Sequence, residues 1–98
     1  MDLAEITDKM KARVGEASTL GAVLKFDCGA DGVVVIDAVS SPSTVDNLDR
    51  EADCTVALSL ATLTDLLTGE LEPTTGFMMG KFKVSGDMSV ALKLQRVL

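Results

Sequence analysis

The feature that most constrains this chain is the order in which its apolar residues change period. Leu3, Ile6, Met10 and Val14 recur at helical spacing, with Lys and Glu between them, so Asp2 to Val14 reads as an amphipathic helix stopped by Gly15. The period then drops to two. Leu24, Phe26 and Cys28 alternate with Lys25 and Asp27, which predicts a strand with one buried face. Gly29-Ala30-Asp31-Gly32 has hairpin-turn chemistry, and Val33 to Val39 is the returning strand, with Val34 and Ile36 on one face. Ser40 to Asp49 carries Pro42 and short polar residues and reads as a loop holding at most a brief edge strand. Cys54, Val56 and Leu58 alternate again with Thr55 and Ala57.

Past Ser59 the helical period returns. Leu60, Leu63, Leu66 and Leu67 fall on one side, Thr62, Thr64, Asp65 and Thr68 on the other, and Gly69 closes the helix. Pro73 suits the first turn of a second, short helix carrying Phe77, Met78 and Met79 and ended by Gly80. Lys81 to Ser85 alternates, with Phe82 and Val84 opposite Lys81 and Lys83. Gly86 or Asp87 starts a last helix from Met88 to about Val97. The order is therefore helix, three or four strands, two helices, strand, helix. Strands are not followed one by one by helices, which disfavours a doubly wound parallel sheet. An α+β layer structure fits, with helices on one face of a mostly antiparallel sheet. With 98 residues, no repeat and no linker, residues 1–98 are expected to form a single domain.

Composition excludes several functions. The net charge of −6 opposes nucleic-acid binding, where cationic side chains supply most of the affinity. It also opposes strong docking on anionic membranes, leaving only transient membrane contact. No apolar run approaches the ~20 residues that span a bilayer. The N-terminus lacks the apolar centre of a signal peptide, and Arg96-Val97-Leu98 is not a peroxisomal address. A cytoplasmic location is the expectation. Histidine is absent and Cys28 and Cys54 lie far apart, so no metal site is expected and no cofactor is implied. Both cysteines fit small buried hydrophobes, with a reactive or disulfide role as the alternative. Without histidine, the usual activated nucleophiles and proton shuttles are missing. Asp27, Asp37, Asp53 and Asp65 fall on polar faces and read as solvated rather than as paired catalytic acids. The expectation is that the chain is not an enzyme.

The informative constellation is Gly69 to Leu98. On a helical projection, Val90, Ala91, Leu92, Leu94, Val97, Leu98 and Met88 cover an arc wider than the core stripe of a surface helix, leaving Ser89, Lys93 and Arg96 as a polar strip. One side of that arc can pack on the sheet. The other must cover a second helix, a partner chain or a ligand. Gln95 lies inside the arc, where a lone amide is costly unless it is hydrogen-bonded. It reads either as a side chain satisfied by backbone or as an anchor for a ligand head group. Met78 and Met79 beside Phe77 suit plain core filling or a surface that repacks around variable shapes. The three Phe, 3% aromatics in all, are consistent with an open interior.

Four stretches then resemble the sterol carrier protein 2 family at nearly constant spacing: Ala52-Asp53-Cys54-Thr55-Val56; Leu67 to Pro73, reading Leu-Thr-Gly-Glu-Leu-Glu-Pro; Phe77 to Met88, reading Phe-Met-Met-Gly-Lys-Phe-Lys-Val-Ser-Gly-Asp-Met; and Ala91-Leu92-Lys93-Leu94-Gln95. The resemblance implies a five-stranded sheet covered by helices, with an apolar tunnel between them. It also implies non-catalytic binding and transfer of lipids such as fatty acids, acyl-CoAs or sterol-like and isoprenoid molecules. Carried over by position, it assigns the tunnel lining to Leu63, Leu66, Leu67, Phe77, Met78, Met79, Phe82, Val84, Met88, Ala91, Leu92 and Gln95. Two departures stand out. Met79 occupies a place where the family often has Gln, and Leu63 replaces an aromatic residue. With no peroxisomal address, the chain is similar to a free-standing bacterial member of the family. An accessory or dimerising role, with the last helix as a protein–protein interface, is the alternative reading; the oligomeric state, monomer or dimer, stays open.

Overall fold

Alternating strands need a helix layer to cover their apolar face, and here the chain supplies it from both ends. The computed structural model describes residues 1–14, 21–39 and 43–93. Their order is α1 (Leu3–Val14), β1 (Val23–Asp27), β2 (Val33–Asp37), β3 (Thr44–Asp46), β4 (Cys54–Ala57), α2 (Leu60–Thr68), α3 (Pro73–Met78), β5 (Lys83–Gly86) and α4 (Met88–Leu92). One five-stranded sheet runs β3-β2-β1-β4-β5. The β1–β2, β2–β3 and β4–β5 pairs are antiparallel and β1–β4 is parallel. The expected α+β fold with a mostly antiparallel sheet is what the chain adopts.

Register explains the core. Leu24 pairs with Ile36 and Cys54, and Phe26 with Val34 and Val56, so these apolar residues form one continuous face. Ile6 and Met10 of α1 and Leu63, Leu66 and Leu67 of α2 complete the same buried cluster. Local chemistry sets the helix ends. The Ser59 hydroxyl accepts from the Thr62 N–H at the start of α2. At its other end Gly69 is left-handed, and the Arg13 guanidinium donates to the Leu67 carbonyl at 2.7 Å, tying α1 to α2.

The expected hairpin turn takes a particular form, and one strand is more buried than its alternation alone indicates. The Gly29–Asp31 stretch between β1 and β2 is a single 3₁₀ turn, closed by a Cys28 N–H to Gly32 carbonyl bond of 2.9 Å. β2 buries both faces, because Val33 and Val35 are covered as well as Val34 and Ile36. The topology supplies the reason. β3 lies at one edge and β4 beyond β1, so the connection between them must cross β2 and β1. Lys25, in register with Val35, holds that connection by donating to Asp49 Oδ1 and the Arg50 carbonyl, each at 2.9 Å. At its start Asn47 donates to Thr7 Oγ1 and the Val33 carbonyl. The expected helix stop at Gly15 and the continuation of α4 beyond Lys93 lie outside the described residues.

Candidate functional site

Between α3, β5 and α4 the helix layer leaves a gap, and three local signals open it. Pro73 occupies the first turn of α3, where its missing N–H costs nothing. The helix runs only to Met78 before Gly80, at φ +72°, closes a Schellman motif: the Lys81 N–H bonds the Gly76 carbonyl and the Gly80 N–H bonds that of Phe77. This reversal sends Phe82 back onto Phe77, with ring centroids 6.0 Å apart. Gly76 is buried beneath them, and a Cβ there would lie 2.9 Å from the Phe82 ring. Asp87 then caps α4, accepting from the Ser89 N–H at 2.9 Å and the Ser89 hydroxyl at 2.6 Å. These bonds, the hydroxyl first, hold the Asp87 carboxyl below the usual carboxylate range.

The result is an open cavity of about 180 Å³, lined by Pro73, Thr74, Phe77, Phe82, Val84, Met88, Ala91 and Leu92. Val84, in register with Val56, continues the apolar face of the sheet under the cavity. Only Val90 of α4 is fully packed into the core; Leu92 is 81% exposed and Met88 52%. The wide apolar arc of this helix thus has one side on the sheet and another that the rest of the described chain does not cover.

Six residues expected at the site come together here: Phe77, Phe82, Val84, Met88, Ala91 and Leu92. Five others do not. Leu63, Leu66 and Leu67 are buried in the main core, in one cluster with Ile6 and Met10 of α1 and the apolar face of the sheet. Met78 and Met79 are exposed at the C-terminal end of α3, because a six-residue helix offers little inward face and Gly76 is its buried member. Gln95 lies outside the described residues. Pro73 and Thr74 were not anticipated: Pro73 reads as a helix start, and no periodicity marks it as lining.

No lining side chain is ionisable, so the wall offers dispersion and burial rather than proton transfer. Among the described residues no group of three or more His, Cys, Asp or Glu could hold a metal ion. Cys28 and Cys54 are free and buried. Burial, then the Asp31 and Asp27 carboxylates, pushes the Cys28 thiol up to about 11. Burial, then Asp87, raises Cys54. Of the aspartates read as solvated, three act at strand ends: Asp53 accepts from the Val23 N–H, Asp27 from Gly29 and Asp37 from Val39.

The sequence model of the SCP-2 sterol transfer family matches residues 3–98. The chain belongs to that family. Sterol carrier protein 2 of Gallus gallus is 39% identical over 70 residues, 70% of this chain and 13% of that protein, so the SCP-2 chain spans a small fraction of the length of such relatives. Among solved structures, sterol carrier protein 2 like 2 from Aedes aegypti superposes with a TM-score of 0.78 at 24% identity, covering 98% of this chain and 95% of that one. A palmitated form of the Aedes aegypti protein gives 0.72 at 25% identity, covering 99% and 94%. No helix among the described residues of this SCP-2 domain is long and apolar enough to cross a membrane.

Proposed function

We propose that this SCP-2 domain binds and transfers lipids without chemical turnover, holding an acyl or isoprenoid chain in the cavity between α3, β5 and α4. The observation that carries the reading is the wall itself, apolar apart from Thr74 and open at the exposed Leu92 and Met88. Burial of roughly ten methylenes contributes on the order of 8 kcal/mol, about the scale of a micromolar affinity before ordering costs. The cavity is smaller than the roughly 300–1,000 Å³ of sites that enclose a whole small molecule. It suits part of a chain, and a longer one requires α3 and α4 to move apart. The palmitated Aedes aegypti relative supports an acyl ligand.

The test is displacement of a fluorescent fatty acid, alongside native mass spectrometry of protein purified without detergent. Leu92→Asp places a charge in the wall at an exposed site, so the fold tolerates it and binding falls at least tenfold. Unchanged binding in the folded variant would remove the cavity assignment. A second reading, an accessory or dimerising protein, draws on the exposed Phe77, Met78, Met79, Met88 and Leu92. Sedimentation over a range of concentrations separates the two. A strict monomer that binds the probe leaves the first.

A further inference from the structure

The cavity is graded from an open mouth to one closed end. Of its lining, Thr74, Phe77, Met88 and Leu92 are exposed, Val84 and Ala91 are half-buried, and Phe82 alone is fully buried. Phe82 also belongs to the main buried cluster, with Phe26, Val56 and Leu63. Cavity and core therefore share this one side chain, which stands between them. Its seat is narrow. The Lys81 N–H bonds the Gly76 carbonyl at 2.9 Å, so the backbone just before Phe82 is fixed against α3. The ring fills the space that a side chain at position 76 would need: a Cβ there would lie 2.9 Å from Phe82 Cε2 and 3.1 Å from Leu71 Cδ2. Glycine is a poor helix former, and the ring accounts for its place inside α3.

We infer that Phe82, seated on Gly76, is the stop that sets how long an acyl chain the cavity holds. The inference rests on the lipid-binding reading and adds to it the direction of the ligand and its length limit. A carboxylate is costly to bury without a partner, and the inner end offers only the side chains of Phe82, Val84 and Ala91. The acid head therefore stays at the exposed mouth, and the methyl end points at the ring. Up to the ring, each further methylene leaves water and tightens binding about fourfold. Past it the core is close-packed. Extra methylenes then stay at the mouth or part α3 from α4, and the gain per carbon falls. A larger residue at position 76 pushes the ring toward the cavity, because the core side is filled and the backbone at Lys81 is held.

The experiment titrates the full chain with a homologous series of saturated fatty acids from octanoate to stearate, each below its micelle concentration. Urea midpoints are recorded for every variant. In the wild type, affinity is expected to rise about fourfold per methylene up to a break and to flatten beyond it. Phe82→Leu keeps an apolar side chain in the core and remains folded. It moves the break to longer chains, so the acid just past the wild-type break binds about fourfold tighter. Gly76→Ala moves the break to shorter chains and weakens the acid at the wild-type break by a similar factor. In Gly76→Ala/Phe82→Leu the two changes offset, and the break returns toward that of the wild type. A break at the same chain length in every variant would overturn the proposal, whether or not affinity weakens throughout, because the ring would then be structural only. Movement of both single variants in one direction would overturn it too. Failure of the wild type to bind any member of the series is a distinct result: the lipid cavity itself then fails, and the stop with it.

Discussion

Gly86 is where the sheet hands the chain to α4, and its backbone decides how closely that helix can sit. It has φ +96°, and a Cβ there would collide with the Asp53 carbonyl, which the Asp87 N–H needs at 2.7 Å. An alanine meets a strained dihedral and a backbone overlap together. Gly86→Ala is expected to cost about 3 kcal/mol, read as a lower midpoint in urea, and an unchanged midpoint would contradict the contact. In the sequence this glycine reads only as a helix start, because close backbone approach leaves no periodic trace. Cys28 gives a second residue-scale expectation. Its thiol is held protonated by burial and by Asp31 and Asp27, with its pKa raised from 9.0 to about 11. Folding favours the protonated form, so this contribution is complete below pH 9 and is lost as pH rises through about 11. Ultraviolet thiolate absorbance should therefore appear late in an alkaline titration, and urea midpoints should begin to fall in the same window. An ordinary thiol titration in the folded protein would remove the effect.

At the scale of elements, α2 and α4 have similar apolar patterns and opposite fates. Leu63 is 0% exposed among Met10, Phe26 and their neighbours, whereas Leu92 is mostly bare. Periodicity states that a face is apolar but not what will cover it, so it could not check the lining that the family resemblance assigned to the leucines of α2 and to α4 alike. The distinction depends on which helix lies over the middle of the sheet and which over its β5 edge, and that follows from strand order. Strand order was itself hidden. The alternation located β1, β2, β4 and β5 to within a few residues. The parallel β1–β4 pair and the crossing that buries Val33 and Val35 arise from contacts between segments far apart in sequence. A paired substitution makes the difference measurable. Leu63→Ala should lower stability by about 3 kcal/mol through a core cavity and leave probe affinity within a fewfold of wild type at a temperature where it is folded. Phe77→Ala, at a half-exposed wall residue, should cost less than about 1 kcal/mol and weaken the probe about tenfold. The reverse pattern would move the ligand under α2, into the core.

At the scale of the molecule, the buried ones among the described residues are concentrated at one end. α1, α2, β1, β2 and β4 supply nearly all of the described core, while the segment from α3 to α4 contributes Gly76, Phe82 and Val90 as its buried members. Among the described residues the α3–β5–α4 end therefore has little apolar burial holding it, and β5 pairs with a strand on one side only. Segments so placed open at lower free energy than the global unfolding. Under the proposed function, the same end separates to admit a chain longer than the cavity. Stability and function thus make one demand: a firm sheet with α1 and α2, carrying a looser pair of helices at its β5 edge. Amide hydrogen exchange should show this division, with β1, β2 and β4 protected longest and α3, β5 and α4 exchanging earlier. Saturation with a long-chain fatty acid should slow exchange in α3, β5 and α4 selectively, because the ligand supplies the apolar contacts that end lacks. The gain there follows RT ln(1 + [L]/Kd), about 2.7 kcal/mol at a hundredfold excess over Kd for any opening that releases the ligand. Amides of β1 and β2 that exchange through fluctuations retaining the ligand should not slow. Equal slowing across the whole chain would mean that the molecule opens as one unit, and that the ligand does not enter by parting α3 from α4.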